Sequence, residues 1–246
     1  MLLSTLALAL AVGASCRISS PPQTQPLVEL YTSQGCSSCP PADRWLSQFD
    51  PRASAGVIPL ALHVGYWDYI GWKDPYARRE FNERQQWLAR LNSNRSVYTP
   101  GVFMQARETP RWHDSAGFSA AVRAISAKPA RAKIDLSVER TAQDKMQVRA
   151  ETALVRADDA DARLFVALTE SGLATKVKAG ENRGETLHND HVTRDWSGPL
   201  ALGNQSITFN QPAGANNPLA LVAFVQDMRS GDVLQAVRLP LASCAP

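Results

Sequence analysis

The feature that most constrains this chain is a pair of cysteines set between a strand-like run and two prolines. Residues 27–32 (LVELYT) are rich in β-forming residues, Cys36 and Cys39 follow in the stretch QGCSSC, and residues 40–49 open with two prolines and carry apolar residues at helical spacing. The pattern predicts a strand, a cysteine-bearing turn and a helix. Unpaired N–H groups and the dipole at a helix start stabilise a thiolate, the reactive form of cysteine. We therefore expect an exposed Cys36 that opens disulfides and a Cys39 that resolves the mixed disulfide.

The rest of the chain divides into two differently patterned halves. Around and after the cysteines, apolar runs and amphipathic stretches follow the order β, α, β, α, β, β, α, which predicts a mixed sheet flanked by helices over residues 27–128. From residue 133 onward, short strand-like runs are separated by turn signals, which predicts an all-β sandwich over residues 132–242. The sequence thus predicts an α/β domain followed by a β-sandwich domain.

The N-terminal segment indicates export. Residues 2–14 are apolar, too short for a permanent membrane span and typical of a secretory signal. We assign residues 1–15 to a signal peptide and the Pro-rich residues 16–26 to a linker, and we expect a periplasmic or secreted protein. Cys16 has two interpretations. Either it is lipidated as in a bacterial lipoprotein, which would be the only link to a membrane, or it pairs with Cys244 in an oxidising compartment.

Several stretches together resemble known families. LYTSQGCSSCPPAD, LHVGYWDYIGWKDPYA, YTP and ENRGETL look like a secreted, thioredoxin-like bacterial family that is catalogued as a domain of unknown function, over roughly residues 27–242. More broadly, the first strand and turn resemble the thioredoxin superfamily. That resemblance implies a thioredoxin-like fold for the first domain, with Cys36 as nucleophile, Cys39 as resolving thiol and Pro100 as a cis proline. The loop dipeptide SS matches none of the well-studied members, so the sequence leaves reductase and oxidase both open.

The Thr99–Pro100 step is the first candidate for substrate binding. In a chain of this order it falls just before the first antiparallel strand. A cis peptide bond there would present the Thr99 backbone to an extended peptide lying beside the cysteines.

The aromatic stretch HVGYWDYIGWKDPY is the second candidate. It follows the second predicted strand, and in an open sheet its loop would lie at the same edge as the cysteines. Tyr66 and Trp67 are candidates for an apolar wall against substrate, and His63 or Asp68 for accepting the proton of the resolving thiol. The same aromatic residues also fit a plain cap over the core.

The chemistry predicted is thiol-disulfide exchange on protein substrates, with a redox partner that resets the dithiol and no cofactor. The net charge of +3 is small and evenly spread, which argues against a nucleic-acid partner. Copper(I) binding by the two cysteines and a histidine is one alternative, although His188 and His191 of HNDH would point to opposite faces of a strand, and no metal site is assigned. The other is a non-enzymatic binding protein braced by a permanent disulfide, with Trp196 and the ENRGE loop as contact points.

Overall fold

The structure is a computed structural model. It describes residues 15–50, 52–53, 56–141, 144–156, 159, 161–212 and 217–244. All but the last residue of the predicted signal peptide therefore lies outside the described residues. Across the described ranges, no helix is long and apolar enough to cross a membrane.

The described residues form fourteen strands and three α-helices. The strands are β1 (Ser15–Ser19), β2 (Leu27–Thr32), β3 (Ile58–His63), β4 (Gly101–Met104), β5 (Arg107–Glu108), β6 (Ala132–Thr141), β7 (Lys145–Leu154), β8 (Ala162–Glu170), β9 (Leu173–Lys176), β10 (Thr186–Asn189), β11 (Val192–Leu200), β12 (Gly203–Asn210), β13 (Leu219–Asp227) and β14 (Val233–Pro240). The helices are α1 (Pro40–Leu46), α2 (Arg79–Leu91) and α3 (Ser115–Ser126). Single turns of 3-10 helix cover Asp68–Ile70 and Leu241–Ser243.

One large sheet runs through both halves of the chain. Its eight strands lie in the order β14-β13-β8-β11-β3-β2-β4-β5, so strands from before and after residue 132 share it. The join is the pairing of β11 with β3, parallel at Val192 and Ala61. The predicted fold class, a helix-flanked thioredoxin-like α/β domain followed by a separate all-β sandwich, is therefore wrong. The protein is mostly β, and its two halves complete a common sheet.

The burial of the later strands explains why the prediction failed. β13 is buried at every position and β8 at all but one, so both of their faces are covered. Continuous apolar runs such as LALVAFV are typical of strands in the middle of a sheet that is packed on both sides. β6 and β7 instead alternate buried and more exposed residues, as expected for a sheet with one face in solvent. The sequence prediction treated both kinds of strand alike.

The large sheet is covered differently on its two faces. On one face α2 packs through Phe81 and Leu88 against strands from both halves. On the other face α1 and α3 cover the first-half strands. A four-stranded antiparallel sheet, in the order β1-β6-β7-β12, covers the second-half strands on a core that includes Ile134, Val148 and Leu164. The second half thus has a sandwich arrangement, as predicted, but one of its two layers is the shared sheet.

Residues 16–26 belong to the folded structure instead of forming a linker. β1 pairs with β6, and the side chains of Thr24 and Gln25 are buried. Cys16 is joined to Cys244 by a disulfide across 228 residues. Of the two interpretations of Cys16, the structure therefore shows the disulfide, which occupies the sulfur that a lipid would need.

A buried ion pair links α2 to both halves of the large sheet. Arg84 of α2 donates from Nε and Nη2 to the carboxylate of Glu29 in β2, at 2.6 and 2.9 Å, and from Nη2 to Gln226 in β13 at 2.9 Å. Its guanidinium also lies 5.0 Å from the ring centres of Phe165 and Phe224. All three polar side chains are buried, so this network fixes the helix over the region where the two halves of the chain meet.

Candidate functional site

The two cysteines of the QGCSSC stretch lie between β2 and α1, as the sequence predicts. They form a disulfide with a Cα–Cα distance of 5.5 Å. The turn is closed by the N–H of Cys36, which donates to the Ser33 carbonyl, and Cys39 is the N-cap of α1. Pro40 and Pro41 open the helix without leaving unpaired N–H groups. With only seven residues, α1 is under two turns long, so its dipole is small.

The cysteines are buried. Cys36 is 1% exposed and Cys39 is 0% exposed, whereas Ser37 and Ser38 between them are exposed. The prediction of an exposed Cys36 is therefore wrong. The groups that contact its turn come from distant parts of the chain, which a local sequence pattern does not reveal. A substrate that reaches the sulfur of Cys36 must displace some of these neighbours.

The Thr99–Pro100 segment lies against the disulfide, and its peptide bond is cis, as the resemblance implied. The Sγ of Cys36 is 3.8 Å from the Thr99 carbonyl oxygen, and the Ser38 hydroxyl is 3.3 Å from the same sulfur. The indole N–H of Trp67 donates to the Thr99 hydroxyl at 2.7 Å. The structure therefore brings the cysteines, Thr99, Pro100 and Trp67 together.

The aromatic stretch is only partly available to a substrate. Tyr66 and Trp67 are half-buried and pack against the core on the α2 side of the sheet. The Tyr66 hydroxyl donates to Gln85 at 3.2 Å, and burial raises the pKa of Tyr66 to about 12. Tyr69 is 81% exposed and is the exposed aromatic side chain of this stretch. Tyr66 and Trp67, the two residues predicted to form an apolar wall, thus cap the core in part.

Buried titratable groups lie on the α1 side of the cysteine turn. His63 Nδ1 is 2.7 Å from Asp74 Oδ2, and that oxygen also accepts from the Gln34 N–H at 2.8 Å. Burial acts to lower the pKa of His63, but the Asp74 charge and hydrogen bond raise it overall. Burial likewise acts to raise the pKa of Asp74, and His63 brings it below its usual range. Asp74 thus holds His63 in place, and among the described residues His63 Nε2 is buried without a hydrogen-bond partner.

Asp43 is a buried acid that sequence analysis missed. It lies one helical turn after Cys39 and is 7% exposed. Burial raises its pKa from 3.8 to about 6, although the charge of His63 acts to lower it. The available signal was its position in α1, because Ala42, Asp43 and Leu46 share the buried face of that helix. Asp68, the predicted alternative proton acceptor, instead accepts from the Asp74 N–H at 3.1 Å and shapes the loop.

A hairpin from the second half of the chain contacts the cysteine turn. β9 and β10 form a two-stranded ribbon whose connecting residues 177–185 include the ENRGE stretch. Glu181 accepts from the Ser37 N–H at 3.0 Å. The Asn182 side-chain amide donates to the carbonyls of Gln34 and Cys36 at 2.9 and 3.0 Å. The sequence predicts contacts with a partner for this stretch, and gives no sign that it lies against the cysteines.

The histidines of HNDH do not form a metal site with the cysteines. His188 is exposed on β10, whereas His191 is fully buried, with Nε2 2.9 Å from the Phe49 carbonyl oxygen. Burial, together with Arg238, lowers the pKa of His191 to about 4. Within the described part of the chain, no group of three histidine, cysteine or acidic residues is arranged to hold a metal ion.

Comparison with known proteins identifies the family. Residues 27–226 match the model of the family described as "Protein of unknown function (DUF1223)". The match covers most of the chain, so the protein belongs to this family. A search of curated proteins found no significant match.

Two solved structures are similar over most of the chain. Protein AGR_C_4864 from Agrobacterium tumefaciens is 25% identical, with a TM-score of 0.59, over 88% of this chain and 94% of that one. HBP35 of Porphyromonas gingivalis is 13% identical, with a TM-score of 0.62, over 92% of this chain and 78% of that one. The second likeness concerns the fold alone.

Proposed function

We propose that this protein is an exported thiol-disulfide oxidoreductase that acts on protein substrates through Cys36 and Cys39. One observation carries the proposal. The two cysteines form a disulfide in a turn that directly contacts the Thr99–Pro100 segment, with buried titratable groups beside it. A disulfide that serves only as a brace does not need such neighbours. The likeness to the thioredoxin superfamily is limited to this local arrangement, because the surrounding sheet is different.

The exchange reaction proceeds in two displacements. In the reduction of a substrate, the Cys36 thiolate attacks one sulfur of the substrate disulfide, forms a mixed disulfide and releases one substrate thiolate. The Cys39 thiolate then attacks Cys36 Sγ, closes the Cys36–Cys39 bond and releases the second substrate thiolate. The substrate gains two electrons and the protein loses two. A partner dithiol returns them, and oxidation of a substrate dithiol is the same sequence in reverse.

Buried groups beside Cys39 supply the proton acceptor that the second step needs. Cys39 must lose its proton before it attacks, and it is fully buried. Asp43 lies one turn further along α1, and burial raises its pKa to about 6, close to the range in which a general base works best. His63 is held in place by Asp74. We therefore assign proton acceptance to Asp43, whose carboxylate lies in the field of the His63–Asp74 pair.

The disulfides and the N-terminal segment support export. Disulfides persist in oxidising compartments and are rare in the cytosol. Two are present among the described residues, and Cys16–Cys244 joins positions close to the two ends of the chain. The two disulfides and the apolar N-terminal segment both fit the predicted export to the periplasm or the exterior.

Insulin reduction by dithiothreitol tests the function with a matched control in the same chain. The parent should accelerate the reduction of insulin, and Cys36→Ser should abolish this acceleration. Cys39→Ser should accumulate a mixed disulfide that mass spectrometry detects. A Cys16→Ser/Cys244→Ser variant should stay active, because that disulfide lies outside the site. Equal rates for the parent and Cys36→Ser would refute the proposal. Stoichiometric copper(I) that disappears in Cys36→Ser would favour a metal carrier instead.

A further inference from the structure

The tip of the β9–β10 hairpin makes three hydrogen bonds to the backbone of the cysteine turn. Asn182 donates to the carbonyls of Gln34 and Cys36, and Glu181 accepts from the Ser37 N–H. The hairpin belongs to neither the eight-stranded nor the four-stranded sheet. A hydrogen bond from the Gln34 side chain to the Asn189 side chain connects the base of the hairpin to the same turn. Three backbone groups within four residues of the turn are thus held by a segment about 145 positions away.

Asn182 is placed to restrain the turn mechanically. Its side chain is 6% exposed, so its two donated bonds are shielded from water. Opening the Cys36–Cys39 bond lets the two sulfurs separate, and a turn whose carbonyls are held by Asn182 opposes the backbone movement that accompanies this separation. The two carbonyls that Asn182 holds include that of Cys36 itself.

Glu181 is placed to act electrostatically. Hydrogen bonds from the hydroxyl and N–H of Ser37 hold the pKa of Glu181 below its usual value, so it is a carboxylate at neutral pH. It occupies a backbone N–H next to Cys36 that could otherwise stabilise a thiolate, and it adds a negative charge there. The titratable groups beside the turn also include Asp43 from α1, with Arg44 next to it, and the hydrogen-bonded His63–Asp74 pair.

We infer that the hairpin tip regulates the proposed dithiol, with Asn182 restraining the turn and Glu181 disfavouring the Cys36 thiolate, so that together they favour the disulfide form. This inference rests on the proposed function and adds to it a control on reactivity. Asn182 and Glu181 are positioning residues, since they act through the turn and not on a substrate.

The charge effect is tested with Glu181→Gln, which keeps an oxygen acceptor for Ser37 and removes only the charge. Glu185→Gln is the matched control, because Glu185 lies in the same tip and is exposed. We would follow Cys36 in the reduced protein through its ¹³Cβ chemical shift, which needs no reagent access. Glu181→Gln should move ionisation of Cys36 to lower pH and favour the reduced form about threefold against glutathione. The shift should shrink at high salt.

The restraint is tested by the reduction of the folded protein with dithiothreitol, which donates two electrons and two protons and closes to its cyclic disulfide. Asn182→Ala should speed opening of Cys36–Cys39 about tenfold, because two buried hydrogen bonds are lost. Arg183→Ala, at an exposed position of the same tip, is the control. The rate at which Cys16–Cys244 is reduced in the same molecule reports any general destabilisation of the fold.

The results separate this inference from the proposed function. It is overturned if Glu181→Gln and Glu185→Gln behave alike, or if Asn182→Ala speeds both disulfides equally or neither. None of these measurements needs a protein substrate. If the parent fails to reduce insulin while Glu181→Gln still shifts the ionisation of Cys36, the proposed function fails and the control by the hairpin stands.

Discussion

Replacing Asp43 with Asn should make the protein more stable and a poorer catalyst. In the folded protein the pKa of Asp43 rises from 3.8 to about 6 because of burial. An acid with a raised pKa destabilises the fold once it is ionised, so the penalty is absent below pH 3.8 and complete above pH 6. The difference in pKa corresponds to ~3 kcal/mol. Asn resembles the protonated acid and avoids the penalty.

Urea unfolding of the parent and of Asp43→Asn at several pH values measures this difference. The variant should be more stable by up to ~3 kcal/mol at pH 8, and the two proteins should converge near pH 4. We expect the exchange rate of the parent to depend on pH near 6, and that of the variant to lose this dependence because the proton acceptor is missing. Asp68→Asn, which keeps the oxygen that caps the loop, should leave the pH profile unchanged. A variant that is less stable at pH 8, or whose gain does not vary with pH, would contradict this reasoning.

Three further predictions concern the framework. Arg84→Met should destabilise the protein by about 3–5 kcal/mol in urea unfolding, because it leaves Glu29 charged and buried. Adding Glu29→Gln to this variant should recover part of the loss. Strictly additive effects of the two substitutions would contradict this. The pKa of His191 is lowered to about 4 in the folded protein, so the parent should lose stability as the pH falls below 6.5. His191→Gln should therefore narrow the difference in unfolding free energy between pH 7 and pH 4.5. An unchanged difference would argue against this. Cys16→Ser/Cys244→Ser should lower stability by about 3–5 kcal/mol because the disulfide closes a very long loop, and an unchanged urea midpoint would count against this.

The local structure around the cysteines could be predicted from the sequence. A β-rich run, a turn with two cysteines and a proline-led helix are each encoded within a few residues, and all three are present. The position of Thr99 beside Cys36 followed from the order of the elements, together with the resemblance to the thioredoxin superfamily. These features depend on short-range patterns and on simple rules of sheet topology.

The shared sheet could not be predicted in the same way. Pairing of β11 with β3 joins residues about 130 positions apart through a single short parallel contact, which leaves almost no local signature. The one usable signal was the continuous apolar character of β13. It indicates a strand that is covered on both faces, which an ordinary two-layer sandwich does not require.

The burial of Cys36 and the contacts of the hairpin tip also escaped prediction. Asn182 and Glu181 reach the cysteine turn only because the large sheet brings the second half of the chain next to the first. Once the two halves are treated as separate domains, nothing in the sequence places these side chains near a sulfur. The error in fold class and the missed contacts of the hairpin tip therefore have the same origin.

The central claim is that Cys36–Cys39 is a reactive couple and Cys16–Cys244 is a structural one. Equilibrating the folded protein with glutathione mixtures, quenching with acid and counting the alkylated cysteines by mass spectrometry measures both potentials in one sample. We predict that Cys36–Cys39 titrates between about −120 and −270 mV, as disulfide oxidoreductases do, and that Cys16–Cys244 stays oxidised. A Cys36–Cys39 bond that resists reduction as strongly as Cys16–Cys244 would contradict the account.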